Sequence, residues 1–218
     1  MRPNIQSQTD TTFLIIISIS FALLLIVTVA MIYFVIKYDK KKHPKPENIH
    51  GNTLLEVLWT LIPTILVLFI FFNSFSAFKN MRNVPPDAMQ ITVTGQMWKW
   101  TFDYQNGKKT DTLYVPIGKP IKMLIKSIDV NHSFYLPHFR VKEDAIPGRT
   151  NYLWFQPNEL GDFTITCAEY CGLNHAYMYS KVVVMPEKEF NDWYIKPQDS
   201  DSTKKDSTQV IRNDTLKK

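Results

Sequence analysis

Residues 13–36, FLIIISISFALLLIVTVAMIYFVI, run without a single charge. At ~1.5 Å rise per residue a helix of that length covers ~36 Å, more than the ~30 Å hydrocarbon core of a bilayer. A second apolar run, residues 54–75, carries one charge near its start, Glu56, and one proline, Pro63. Proline is tolerated in a membrane helix because neighbouring helices satisfy the carbonyl it frees. Two such runs point to a transmembrane hairpin before any other part of the fold is decided. A cleaved signal peptide is the competing reading of the first run. Its apolar core is too long for one, and lysines follow it instead of a small-residue cleavage site.

Between the runs lie Lys37, Lys40, Lys41, Lys42 and Lys45, against Arg2 alone before the first run and Lys79 and Arg82 after the second. The excess of positive charge places the short loop in the cytoplasm. The expected layout is an extracytoplasmic tail (1–12), a span (13–36), a cytoplasmic loop (37–53), a second span (54–75), a linker (76–87), a folded domain (88–197) and a disordered tail (198–218). The chain is then a multi-pass protein of the cytoplasmic (inner) membrane with both termini periplasmic.

The formal net charge of +5 is not a nucleic-acid signal, because residues 88–197 hold 12 Lys or Arg against 11 Asp or Glu. The basic excess sits mainly in the loop, where topology and anionic lipid headgroups explain it. From residue 89 onward the pattern turns to short β-rich runs at 89–95, 97–104, 112–117, 120–128, 152–155, 162–167 and 179–186. Turn signals at Asn106-Gly107, Gly118-Lys119-Pro120 and Pro147-Gly148 divide them. Short alternating strands with no helix-length segment between them predict an antiparallel sandwich or barrel. Pro186 opens one short terminal helix, Glu187–Ile195. The tail is polar and nearly free of large apolar side chains, a composition that does not build a core. The sequence shows no internal repeat, glycine-rich phosphate loop or Cys-x2-Cys-His haem-attachment motif.

Both cysteines, Cys167 and Cys171, fall in the stretch CAEYCGLNHAYM together with His175 and Met178, spaced Cys-x3-Cys-x3-His-x2-Met. In an oxidising compartment two cysteines first suggest a disulfide. The neighbouring imidazole and thioether shift the balance, since thiolate, imidazole and thioether form a soft donor set that favours copper over hard cations. Blue-copper sites use one cysteine for one ion. Two thiolates four residues apart can instead bridge two ions, provided a second histidine arrives from elsewhere in the fold.

The segment DVNHSFYLPHFRVKEDAIPGR (129–149), followed by CAEYCGLNHAYM, closely resembles the signature of cytochrome c oxidase subunit II with its dinuclear copper A centre. The likeness extends to the two-helix hairpin and to the aromatic segment GQMWKWTFDY. It implies a cupredoxin-like sandwich after the hairpin. It also implies a proton-translocating oxidoreductase whose oxygen-reducing site is in subunit I, with subunits I and III, cytochrome c and membrane lipid as partners. By the same resemblance Cys167 and Cys171 are bridging thiolates, His132 and His175 terminal imidazoles, Met178 a weak thioether ligand and Glu169 a ligand through its backbone carbonyl. The Glu169 side chain is implied to hold a magnesium ion shared with subunit I.

Trp98, Trp100, Phe102 and Tyr104 alternate with Lys99, Thr101 and Asp103 as on a half-buried strand. Taken alone, such a stripe is core packing. The resemblance singles out Trp98 as the point where electrons come in from cytochrome c. Asp129 reads either as a turn residue or as facing the basic rim of a cytochrome c. The DAIPGR stretch, a proline-glycine turn by composition, lies against subunit I in the family. Glu56 precedes Trp59 and Thr60 with the spacing of a family glutamate at the mouth of a proton path, while its plainer reading is an interfacial anchor. His43, His50 and His138 have no partners at a recognisable spacing and read as solvent or interface residues.

Three other identities compete. A quinol-oxidase relative would have lost the copper ligands, and a nitrous oxide reductase would carry a large propeller and no spans. A membrane-tethered copper carrier would leave the tryptophan and DAIPGR segments without a role.

Overall fold

The computed structural model describes residues 5–45 and 50–197, so the expected disordered tail (198–218) lies outside the described residues, as do positions 1–4 of the N-terminal tail. The chain divides into two compact units, residues 1–80 and 81–218.

The first unit is built from helix α1 (Ile5–Lys37) and most of helix α2 (Thr53–Arg82). Both are long and apolar enough to cross a membrane. Large apolar side chains stand open along them, Phe21 at 65%, Leu24 at 63% and Phe72 at 68% exposure. Surface of that kind is stable only against lipid or other subunits. The Asn80 side-chain amide donates to Gln8 Oε1 at 3.1 Å and ties the start of α1 to the end of α2.

Asn52 caps α2, its Oδ1 accepting the Leu55 N–H at 3.1 Å. Glu56 lies in the first turn, where the helix dipole favours a carboxylate. Pro63 has no N–H to give, and around it Thr60 and Thr64 donate their hydroxyls to Glu56 O at 2.9 Å and Thr60 O at 2.7 Å. Both helices outrun the apolar stretches. Residues 5–12 and 76–82 are helical because no glycine or proline interrupts them and the first breaker after α2 is Pro85.

The second unit is a sandwich of two five-stranded sheets, the fold class the sequence implied. Its strands are β1 (Met89–Gln96), β2 (Lys99–Tyr104), β3 (Lys109–Thr110), β4 (Leu113–Pro116), β5 (Ile121–Ser127), β6 (His132–Leu136), β7 (Val141–Ala145), β8 (Asn151–Phe155), β9 (Gly161–Cys167) and β10 (Tyr179–Met185). One sheet runs β3-β2-β1-β5-β8 and the other β4-β10-β9-β6-β7. The antiparallel expectation holds for most pairs, but β1 with β5 and β10 with β4 run parallel. Between β1 and β5 the chain visits the other sheet through β4, so the return needs no crossover helix.

Period-two burial fills the space between the sheets. Ile91, Val93, Trp100, Phe102, Ile121, Met123 and Ile125 come from one side, and Leu113, Val115, Phe134, Leu136, Ile165, Val182 and Val184 from the other. The Tyr104 hydroxyl donates to Tyr114 O at 2.9 Å and accepts the Tyr114 N–H at 2.7 Å, which satisfies it inside the core. Burial raises its pKa. Helix α3 (Glu187–Ile195), at its expected place after Pro186, buries Phe190 and sets Trp193 against Tyr104 and Tyr114 at centroid distances of 5.1 and 4.7 Å. The α3 contacts lie at the Tyr104 end of β2, and Trp98 stands just before its other end.

Candidate metal centre

Antiparallel pairing brings the donors together. β9 ends on Cys167 and β10 begins at Tyr179, paired to Thr166, so residues 168–178 form the loop between two adjacent strands. β6 lies on the other flank of β9 with Phe134 opposite Cys167, which carries His132 to the same edge. Backbone bonds close the loop: Cys167 N–H to Met178 O at 3.1 Å, Ala168 N–H to Ser133 O at 3.0 Å, and His175 N–H to Gly172 O at 3.1 Å.

The donor atoms of His132, Cys167 and Cys171 lie within 4.8 Å of one another, all on buried residues. Cys167 and Cys171 are free thiols with their sulfurs 3.8 Å apart. Cys167 Sγ is 3.9 Å from His132 Nδ1 and 3.3 Å from Glu169 O. Cys171 Sγ is 3.5 Å from His175 Nδ1 and 3.7 Å from Met178 Sδ. The structure therefore gathers all six atoms singled out in the sequence. Metal–thiolate bonds are ~2.3 Å long, so sulfurs at this separation can share one ion, or one on each side of the line between them. The donor set is soft throughout. The Glu169 side chain is exposed, away from the buried sulfurs.

His132 is fully buried, and its Nε2 lies 2.9 Å from Asp129 Oδ1. With Nε2–H given to the carboxylate, Nδ1 is left bare toward Cys167, the arrangement in which an outer carboxylate orients a metal-binding imidazole. Asp129 also accepts the N–H groups of Met97 at 2.6 Å and Val130 at 2.7 Å. Burial works to raise its pKa, but these hydrogen bonds and the His132 ring outweigh burial and hold the carboxyl down to about 2. A carboxyl held that low is ionised at neutral pH. In Cys171, burial and the Cys167 thiol beside it push the pKa up to about 12. Two thiolates this close ionise together only against a cation.

Trp98 is not part of the strand that its alternation suggested. It sits with Met97 in the turn between β1 and β2, half-buried, and its Nε1 donates to Cys171 O at 3.1 Å. Gly172, at φ +108°, leaves the indole room: a Cβ there would lie 3.4 Å from Trp98 Cζ2. Trp100, Phe102 and Tyr104 are core residues, as their alternation indicated. Trp100 packs edge-on to His132 with centroids 5.9 Å apart.

Two contributors escape a reading of the sequence. Asp129 anchors the imidazole of His132, where sequence alone suggests a turn or partner-facing residue. Gly95, next to the end of β1, lies under both rings: a Cβ there would be 3.0 Å from Trp100 Cζ3 and 3.1 Å from His132 Cδ2. A glycine inside a strand pattern is itself a signal of close approach. His138 stacks on Phe163 at 3.8 Å, and His43 lies 5.3 Å from Tyr38.

Comparison with known proteins places this geometry in a family. Residues 3–77 match the family model for the cytochrome c oxidase subunit II transmembrane domain, and residues 108–185 the one for its periplasmic domain. Cytochrome c oxidase subunit 2 of Alkalihalophilus pseudofirmus is 35% identical over 190 residues, covering 82% of this chain and 56% of the relative, so the chain spans little more than half of that protein's length. Subunit 2 of Cereibacter sphaeroides is 28% identical over 224 residues, covering 84% of this chain and 73% of the relative. Among solved structures, the periplasmic domain of subunit II of cytochrome oxidase from Bradyrhizobium japonicum matches at 36% identity and a TM-score of 0.48, over 51% of this chain and 94% of that one.

Proposed function

The chain belongs to the cytochrome c oxidase subunit II family, and on that footing we propose that it accepts electrons from a cytochrome c at a dinuclear copper centre and passes them to the haem centres of subunit I, where oxygen is reduced to water with proton pumping. The carrying observation is the convergence of His132, Cys167 and Cys171 within 4.8 Å, with His175, Met178 and the Glu169 carbonyl around them.

Bound there, copper would supply a one-electron couple, with Cys167, Cys171, His132, His175, Met178 and the Glu169 carbonyl as the groups that would hold it. The protein's part is to hold the donors still. Asp129 fixes the ring of His132, the ladder bonds of Cys167 and Ala168 clamp the loop, and the sandwich keeps water from the sulfurs. Trp98 makes a hydrogen-bonded link from the half-exposed surface to the Cys171 backbone. A copper carrier would have no use for that link, which favours the electron-transfer reading.

The remaining assignments follow the family. The lysine-rich loop (37–53) is cytoplasmic and the sandwich periplasmic, in the inner membrane among lipid. Subunits I and III cover the helices, and the exposed Glu169 carboxylate meets a magnesium ion at the subunit I boundary.

Copper loading tests the central claim. Metal must displace protons from both thiols, the more so because the Cys171 pKa lies at about 12, so affinity rises with pH and falls in acid. The purified full chain is expected to take up two coppers in a purple mixed-valence centre. A chain that takes up none at neutral pH and instead closes a Cys167–Cys171 disulfide contradicts the proposal.

Glu56 is exposed in the first turn of α2, and its spacing to Trp59 and Thr60 supports reading it as the residue at the entrance of a proton path into subunit I. Glu56→Gln is expected to slow steady-state oxygen consumption while reduction of the copper centre by cytochrome c stays unchanged. Unaltered turnover of the assembled variant would leave Glu56 with its helix-start role alone.

A further inference from the structure

Three loops around Trp98 are bound to one another. Met97 N–H reaches Asp129 Oδ2 at 2.6 Å, Ile128 N–H reaches Gly95 O at 3.2 Å, and Trp98 Nε1 reaches Cys171 O at 3.1 Å. These loops present apolar side chains to the outside: Met97 at 44%, Ile128 at 62%, Val130 at 37% and Leu173 at 87% exposure. Clusters of exposed apolar side chains on a folded domain mark interaction sites.

The charges around them decide which partner fits. Within residues 95–98, 128–131 and 170–174 the only formal charge is Asp129. Its carboxylate is turned inward, occupied by Met97, Val130 and His132. Exposed neighbours along the chain are Lys99 and Lys126, both basic, and the acidic Glu169. These flanking positions carry two lysines against one glutamate, and residues 88–197 as a whole hold 12 Lys or Arg against 11 Asp or Glu. Electrostatic steering needs complementary potentials, and these loop segments and their flanking residues offer a lysine-ringed donor no cluster of exposed carboxylates.

We propose that the electron donor docks over Trp98 by apolar contact through Met97, Ile128, Val130 and Leu173, and that it is a redox protein whose own docking rim is apolar and nearly uncharged. This rests on the reading of the chain as a copper-centred electron acceptor. It refines that reading by excluding a basic rim as the main determinant of recognition.

The test uses the assembled, copper-loaded oxidase in stopped flow with two c-type cytochromes, one with a lysine-ringed haem edge and one with an uncharged apolar edge. The uncharged donor is expected to react faster, its second-order rate changing by less than about threefold between low and high salt, since Debye screening touches only charge–charge terms. Leu173→Glu should cut that rate by about tenfold or more, as burying an unpaired charge at an interface centre does. Its copper spectrum and its reduction by a small-molecule reductant serve as controls for an intact centre. Faster reaction of the lysine-ringed donor with a steep fall in salt, or no effect of Leu173→Glu, overturns the proposal and leaves electron acceptance standing. If a small reductant reduces the centre but neither cytochrome does, electron acceptance from cytochromes fails and the docking proposal falls with it.

Discussion

Trp98→Phe is expected to slow reduction of the copper centre by cytochrome c by about 100-fold or more, equivalent to ~2.7 kcal/mol of added barrier. The structural reason is specific. Trp98 is the half-buried ring that touches the loop carrying the metal donors, and it does so through one N–H aimed at the Cys171 carbonyl. Phenylalanine keeps a ring in the turn but loses the indole N–H and the reach over Gly172. Losing one partly buried hydrogen bond costs only ~1 kcal/mol in stability, so the fold and the copper spectrum should survive. Trp100→Phe is the control. That residue lies in the core against Phe134 and His132, so its loss should lower stability before it alters transfer from cytochrome c. Stopped-flow reduction of both variants decides the matter, and an unchanged rate in Trp98→Phe would remove the ring from the path.

Cys171→Ser is expected to cost the centre its copper, with metal content falling below one ion per chain. Removing an outer partner of a metal ligand typically weakens binding ~10–100-fold, and a bridging donor should exceed that. Cys171 Sγ lies within 4 Å of Cys167 Sγ, His175 Nδ1 and Met178 Sδ at once, as Cys167 Sγ does of Cys171 Sγ, His132 Nδ1 and Glu169 O, so the two sulfurs together form the middle of the cluster. A serine hydroxyl is harder, stays protonated and reaches less far. Metal analysis with optical spectroscopy measures the outcome, and a full complement of copper in the variant would show that Cys171 does not bridge. Folding should be largely preserved, since the residue ends no strand and its backbone bonds remain.

The hairpin and the donor set were legible because their signals are chemical. An uncharged run longer than a bilayer fits little besides a membrane span, and a Cys-x3-Cys-x3-His-x2-Met string fits little besides a soft-metal site. The strands that deliver His132 were harder. β6 is five residues long, opens on a histidine and stops before Pro137, while β7 puts Lys142, Glu143 and Asp144 between two small apolar ends. As a sheet-edge strand β7 gains from such charges, which discourage pairing with another chain, yet they erase the apolar pattern by which a strand is recognised. The two parallel pairs were equally hidden, because alternation along a strand reports its faces and not the direction of its neighbour. Trp98 kept the alternation of β2 although it belongs to the turn before it. Its place in the turn, its partial exposure and its bond to Cys171 separate it from the core aromatics.

Gly95 bears on how such a centre would be transplanted. The first imidazole of the cluster rests on a spot of β1 where even a methyl group would stand 3.1 Å from His132 Cδ2 and 3.0 Å from Trp100 Cζ3. Real side chains seldom come so near, and both rings are hemmed in: His132 by its bond to Asp129, Trp100 by Phe134. Grafting the donor loop and its histidine onto another sandwich would therefore reproduce every ligand and still aim one of them wrongly if the recipient strand carried alanine at this register. A designer must first hollow out a single carbon's worth of space beneath the ring, which no inventory of metal-binding side chains would disclose.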